Sequence, residues 1–225
     1  MIRFRKRQLA SVIVAALGLV PDAAPAQGPA PEGLLPAPDS TLPDTVPPGA
    51  GPAEARADAA ALAPEGRAEK LDGLFVELMQ PGREDWEKLE EQINTIWSRS
   101  GSPAIDLLLQ RGNAALEAED YPLAVEHFSA LVELAPDFAE GWNARATAFY
   151  LLGEYSLSMA DIEHVLVLEP RHFGALSGLG FMFEAMDEPE LALEAFEAVH
   201  ALNPNRPNVR EAITRLERMT GQAEL

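Results

Sequence analysis

Residues 139–172 read AEGWNARATAFYLLGEYSLSMADIEHVLVLEPRH, and residues 173–206 read FGALSGLGFMFEAMDEPELALEAFEAVHALNPNR. Set one above the other, they agree by residue class. Trp142 stands over Leu176, Ala146 over Gly180, Phe149 over Phe183, Ser158 over Ala192, Ile162 over Phe196, Val165 over Val199 and Pro170 over Pro204. Residues 105–138 supply a third copy, with Leu108, Gly112, Ala115, Ala124, Phe128, Leu131 and Pro136 at the same places. The constant offset from Pro136 to Pro170 to Pro204 marks a helical hairpin stacked on copies of itself. Large residues recur at helical spacing, and small ones sit where two helices approach closely. Gly112 and Gly180 each cost a helix about 1 kcal/mol against alanine, so their recurrence in register implies compensation by close packing.

These residues resemble the tetratricopeptide repeat pattern: a Trp, then Leu-Gly, a Tyr, an Ala, an aromatic and a Pro over one repeat. Trp142, Ala146, Phe149, Ser158, Ile162 and Pro170 match it. So do Leu176, Leu179, Gly180, Phe183, Ala192, Phe196 and Pro204. The first copy departs at Ala115, where an aromatic is expected. The resemblance implies an all-α right-handed superhelix of antiparallel helix pairs, with motifs at 105–138, 139–172 and 173–206. Local chemistry agrees. Asp137 is expected to cap the second copy, and Asp120 and Asp187 the second half-helices, each followed by a proline in the first turn (Pro122, Pro189). Gly153 marks the turn inside the middle copy.

Outside the three motifs (103–206 with their lead-in), residues 67–102 read as a divergent helical hairpin. Its stripes are Leu71, Leu74, Phe75, Leu78 and Met79, then Trp86, Leu89, Ile93, Ile96 and Trp97, broken at Pro81-Gly82. It is expected to cover the N-terminal end of the stack, since a solenoid needs end pieces. Residues 207–220, with Val209, Ile213, Leu216 and Met219, read as a C-terminal capping helix.

The segment 1–26 combines Arg3, Arg5, Lys6 and Arg7 with an apolar run from Leu9 to Val20 and the A-x-A site Ala24-Pro25-Ala26. It reads as a secretory signal, because the run is too short for the ~20 apolar residues of a spanning helix. Export to a periplasm is therefore expected, with an uncleaved inner-membrane anchor as the alternative. Residues 27–66 read as a Pro/Ala-rich disordered linker. Nearly a third of the positions from Pro21 to Pro52 are proline, and no Phe, Trp or Tyr occurs from Pro21 to Pro64. It is either a spacer or a tail left after cleavage.

The net charge is −19, and the three repeats carry 18 acidic against 4 basic side chains. Such a surface repels phosphate, which excludes nucleic acid and disfavours anionic membranes. It favours basic or amphipathic protein partners, or serves only solubility. Without cysteine there is no disulfide or thiol chemistry. His127, His164, His172 and His200 show no metal-ligand spacing and read as solvent-facing or capping; no metal or cofactor is expected. There is no G-x-S-x-G elbow or phosphate-binding loop, so the chain is read as a non-enzyme. Glu119-Asp120 and Asp187-Glu188 read as caps and solvated charge.

In tetratricopeptide repeat proteins the first helices line a concave face. The resemblance places Asp106, Leu109, Asn113 and Leu116 there from the first copy. The second gives Glu140, Asn143, Thr147 and Tyr150, and the third Gly174, Ser177, Phe181 and Glu184. These form a candidate peptide-binding groove, or pack in part against neighbouring helices. The clamp by which family co-chaperones grip a C-terminal carboxylate is absent: its positions hold Leu109, Asn113, Ala144, Gly174 and Gly178, and only the asparagine fits. Arg111 and Arg145 are expected to pair with the chain's own acids. The expected function is a non-catalytic scaffold for a peptide or protein segment. The alternatives are an envelope assembly factor or chaperone of the kind that matures cytochromes or outer-membrane proteins, and an enzyme with an unrecognised site.

Overall fold

The computed structural model describes residues 64–221. The expected signal segment and most of the expected linker lie outside them. Among the described residues are nine α-helices and no strand: α1 (Pro64–Leu78), α2 (Trp86–Trp97), α3 (Pro103–Glu117), α4 (Tyr121–Leu134), α5 (Ala139–Leu151), α6 (Tyr155–Leu168), α7 (Phe173–Ala185), α8 (Pro189–Leu202) and α9 (Pro207–Thr220). Helix α1 begins inside the stretch expected to be linker. The architecture is an all-α solenoid of helix pairs, α3–α4, α5–α6 and α7–α8, followed by α9.

One turn is built three times. Glu119, Gly153 and Asp187 occupy equivalent positions with φ of 58°, 79° and 61°. The next amide donates back to the carbonyl five residues earlier: Asp120 to Ala115, Glu154 to Phe149 and Glu188 to Phe183, each at 2.9 Å. This is a Schellman ending, which needs one left-handed residue. Only the middle repeat uses glycine for it. Asp187 therefore carries the backbone reversal and is not a cap; the residue at the cap of α8 is Glu188, with no side-chain cap bond. Glu119→Gly is expected to stabilise by up to about 1 kcal/mol, as relief of a left-handed side-chain conformation outweighs the added chain entropy. A denaturation midpoint that falls would contradict it.

The other corners also repeat. Ala135, Glu169 and Asn203 end α4, α6 and α8 outside the helical region, with φ between −136° and −141°. Pro136, Pro170 and Pro204 follow them, and the residue before a proline is forced out of the helical region. Asp120 caps α4, accepting from the Leu123 amide at 3.2 Å. Asp137 does not cap α5: the N-cap is Phe138, buried and without a side-chain cap bond. Ser102 occupies the N-cap of α3 ahead of Pro103, yet its hydroxyl makes no cap bond.

The small residues sit beneath rings. A Cβ on Gly112 would lie 2.2 Å from Phe128 Cε1, and one on Gly180 2.8 Å from Phe196 Cζ. Phe128 is 0% exposed and Phe196 1%. In the middle repeat Ala146 fills that place, and its carbonyl accepts from the Ser158 hydroxyl at 2.7 Å. Arg145 meets Asp161 through two bonds, of 2.7 and 2.8 Å. Arg111 is exposed. One apolar cluster joins α3, α4 and the near face of α5. A larger one runs from α1 and α2 through α5 to α9, and Trp142 touches both. In α9, Val209, Ala212 and Leu216 are buried, whereas Met219 is 60% exposed and leaves the expected stripe.

The N-terminal hairpin is not where an end piece belongs. Its rings and charges reach past the first repeat to the end of the second and to the third. Phe75 and Trp97 lie 6.5 and 5.0 Å from the Phe173 ring, and Trp97 stacks on His172 at 4.3 Å. Arg171 bonds Asp72 at 2.6 Å. The Asn205 side chain accepts from the Gly82 amide at 2.7 Å and donates to the Gln80 carbonyl at 3.0 Å. The physical reason is polar as well as apolar: Glu90 lies on the inner stripe of α2, and its counter-charge is Arg206, at the start of α9.

Candidate binding face

The first helices of the three repeats, α3, α5 and α7, present register rows that recur once per motif. One row is Asn113, Thr147 and Phe181, all half-buried. The Thr147 hydroxyl donates to the Asn143 carbonyl at 3.0 Å, and the Asn143 amide donates to Glu140 at 3.3 Å. Glu140 Oε2 lies 3.2 Å from His172 Nε2. These side chains make a hydrogen-bonded ribbon on one face of α5, with Gly174 beside the His172 ring.

The other candidates divide into engaged and buried groups. Asp106 accepts from the Ser100 amide and hydroxyl, at 2.8 and 2.6 Å, and so holds the connector between α2 and α3. Leu109 is buried in the first cluster with Ala144 and Ala148; Leu116 is half-buried against it. Tyr150 is buried, its ring 5.5 Å from Tyr155, and its hydroxyl has no hydrogen-bond partner among the described residues. Burial pushes that phenol up from its ordinary pKa, and Tyr155 adds to the effect. Ser177 is buried and donates to the Phe173 carbonyl at 2.7 Å. Phe181 meets Phe196 edge-on at 5.2 Å. It also lines a cleft of about 270 Å³ with Glu184, Ala185, Asp187, Pro189, Arg215, Leu216 and Met219, in which Arg215 pairs with Glu184. The accessible face is thus narrower than the sequence alone suggests: Asn113, Glu140, Asn143, Thr147, Phe181 and Glu184 remain, and Leu109, Tyr150 and Ser177 are inside.

His172 is buried, not solvent-facing. Its Nδ1 accepts from the Ala175 amide at 3.1 Å, which caps α7. That bond fixes the proton on Nε2, which then donates to Glu140. Residues that sequence reasoning passed over gather beside it. Glu90 takes two bonds from Arg206, both at 2.7 Å, and one from Asn203 at 2.8 Å. Arg206 also lies over the Phe173 ring at 5.1 Å. The one available signal was an acid among the apolar residues of α2, since Glu90 falls on the same helical face as Ile93 and Trp97. Among the described residues no group of three His, Asp or Glu side chains is placed to hold a metal ion.

No protein-family model matches the chain. It is 37% identical over 155 residues to a TPR repeat-containing protein of Rhizobium etli, an alignment that covers 68% of this chain and 76% of that protein. The chain belongs to the tetratricopeptide repeat-containing proteins. This tetratricopeptide repeat protein is also 33% identical over 133 residues to the small glutamine-rich tetratricopeptide repeat-containing protein 2 of Saccharomyces cerevisiae. It spans only 38% of that yeast protein's length. Among solved structures it is similar to the first TPR of Spaghetti (RPAP3) bound to the HSP90 peptide SRMEEVD, with a TM-score of 0.50 at 20% identity over 52% of this chain and 93% of the other. That likeness is one of fold.

Proposed function

We propose that this protein is a non-catalytic scaffold that holds a peptide or protein segment against the first helices of its repeats. The observation that carries the reading is the register row Asn113, Thr147 and Phe181: three consecutive repeats present half-buried polar or aromatic side chains at one position. The ribbon of Glu140, Asn143 and Thr147 supplies hydrogen-bonding groups for an extended backbone, and Phe181 supplies an apolar contact. The similar RPAP3 domain is described with a bound peptide, SRMEEVD, which is acidic. The partner here differs in charge. With Glu140 and Glu184 at the rim and 18 acids against 4 bases in the repeats, a basic or amphipathic segment is favoured. Asn113→Ala, Thr147→Ala and Phe181→Ala together are expected to abolish capture of cross-linked partners while leaving helicity intact. Capture that persists would refute the assignment of the face.

A second reading, favoured by the basic head Arg3 to Arg7 and the following apolar run, is an exported assembly factor or chaperone acting on envelope proteins. It requires binding to unfolded basic client segments. A partner bound only when folded would exclude it. Hydrolase screening of the purified chain tests the enzyme alternative.

A further inference from the structure

We propose that the third-repeat end of the concave face is a docking site for an amphipathic helix, held closed by the chain's own α2. Its external ligand is a helix that presents a carboxylate followed, two turns later, by an aromatic ring. The inference rests on the scaffold reading of the same face and adds where and what it binds.

Helix α2 already behaves as such a ligand. It lays Leu89, Glu90, Ile93, Ile96 and Trp97 inward, all buried. Glu90 enters a fork made by Arg206 Nε and Nη2, both at 2.7 Å, with the Asn203 amide at 2.8 Å on the same oxygen as Nε. Asn203 is 0% exposed, so this polar group is prepared inside the protein and accepts only a group of the right shape. Further along α2, the Trp97 ring lies flat on His172, at 4.3 Å and 13° between planes. The receiving surface is therefore a carboxylate fork beside an aromatic shelf, a fixed distance apart.

Three features make the occupant exchangeable. The anchoring pair is an ion pair out of water, and the cost of drying two charges offsets most of their attraction. Such a pair fixes register more than it adds strength. The Trp97 indole N–H has no hydrogen-bond partner among the described residues, so the internal ligand fits with one donor unsatisfied. Finally, the hairpin joins the solenoid through residues 98–102, where Gly101 has a φ of 86°, and the cluster built by α3, α4 and α5 contains none of its side chains. Release of the hairpin leaves that cluster whole.

The test uses the full chain and, as probe, a synthetic peptide of residues 84–99. The chain has no cysteine, so Lys88→Cys and Arg210→Cys, on exposed positions of α2 and α9, accept a pair of spin labels. Excess peptide is expected to lengthen and broaden the distance between them. Glu90→Gln in the chain weakens the internal ligand, so the native-sequence peptide is expected to bind that variant at least about tenfold more tightly than the wild type, because the open fraction rises. Adding Arg206→Met is expected to remove the gain. Equal binding of the native peptide and its Glu90→Ala, Trp97→Ala version overturns the proposal. If the Glu90→Gln chain loses helicity, the labelled pair in the otherwise native chain decides, and an unmoved distance under saturating peptide overturns it. Loss of partner capture on substituting Asn113, Thr147 and Phe181, with no response to the peptide, leaves the scaffold and removes only this inference.

Discussion

Arg206→Ala is expected to weaken docking of α1 and α2 by about 3–5 kcal/mol, because it strands a carboxylate that has left water. Glu90 takes two bonds from that guanidinium, and the two side chains are 9% and 15% exposed. Once the arginine is gone, Glu90 either stays buried without its counter-charge or drags the hairpin into solvent. The second route is cheaper, so the loss is local. Amide exchange in α1 and α2 is expected to speed up by about two to four orders of magnitude, while α3 to α6 keep their protection. Proteolysis between the hairpin and α3 should rise in step. The sequel separates charge from shape. Glu90→Leu with Arg206→Met is expected to recover most of the docking, because an apolar pair of similar volume avoids the drying cost. If Arg206→Ala changes exchange less than about fivefold, under about 1 kcal/mol, the fork does not hold the hairpin.

Phe128→Ala is the substitution expected to cost the solenoid itself most, about 3–5 kcal/mol. The ring is 0% exposed and lies directly on Gly112. For a folded unit of this size the melting temperature should fall by roughly 10 °C. The pair offers a sharper experiment. Gly112→Ala alone is expected to destabilise by about 1–3 kcal/mol despite alanine's better helix propensity, since its methyl would lie 2.2 Å from Cε1 of the fully buried Phe128 ring. In the Phe128→Ala background the same change should become neutral or favourable, because the methyl enters the cavity. Strict additivity in that cycle would mean that ring and glycine do not touch.

The periodic part of this fold was legible in the sequence because each repeat buries its apolar flank against the next. A contact that recurs at constant separation leaves a constant-period trace. Pro136, Pro170 and Pro204, and Gly112 with Phe128, are such traces. The Schellman turn was legible only at Gly153, since Glu119 and Asp187 adopt the same left-handed backbone without the residue that advertises it. Asp137 looked like a cap because its type and spacing suit one, but the chain enters α5 through buried Phe138. The hairpin's location left no periodic trace at all. Glu90 and Arg206 are 116 residues apart, and one of them belongs to no repeat. The candidate face was legible as a register, not as a surface: position within the repeat identified Asn113, Thr147 and Phe181, whereas the burial of Leu109, Tyr150 and Ser177 depends on local packing that the register does not carry.

That separation in sequence also has a consequence during synthesis. The hairpin leaves the ribosome before the repeats, yet the surface that dries its seam, from Phe173 to Arg206, follows much later. At ordinary elongation rates the oily side of α1 and α2 waits roughly 5–20 s for its berth. A nascent chain stalled before Arg206 should therefore recruit hydrophobe-binding chaperones to this hairpin, and the newest residues should be the ones that release them.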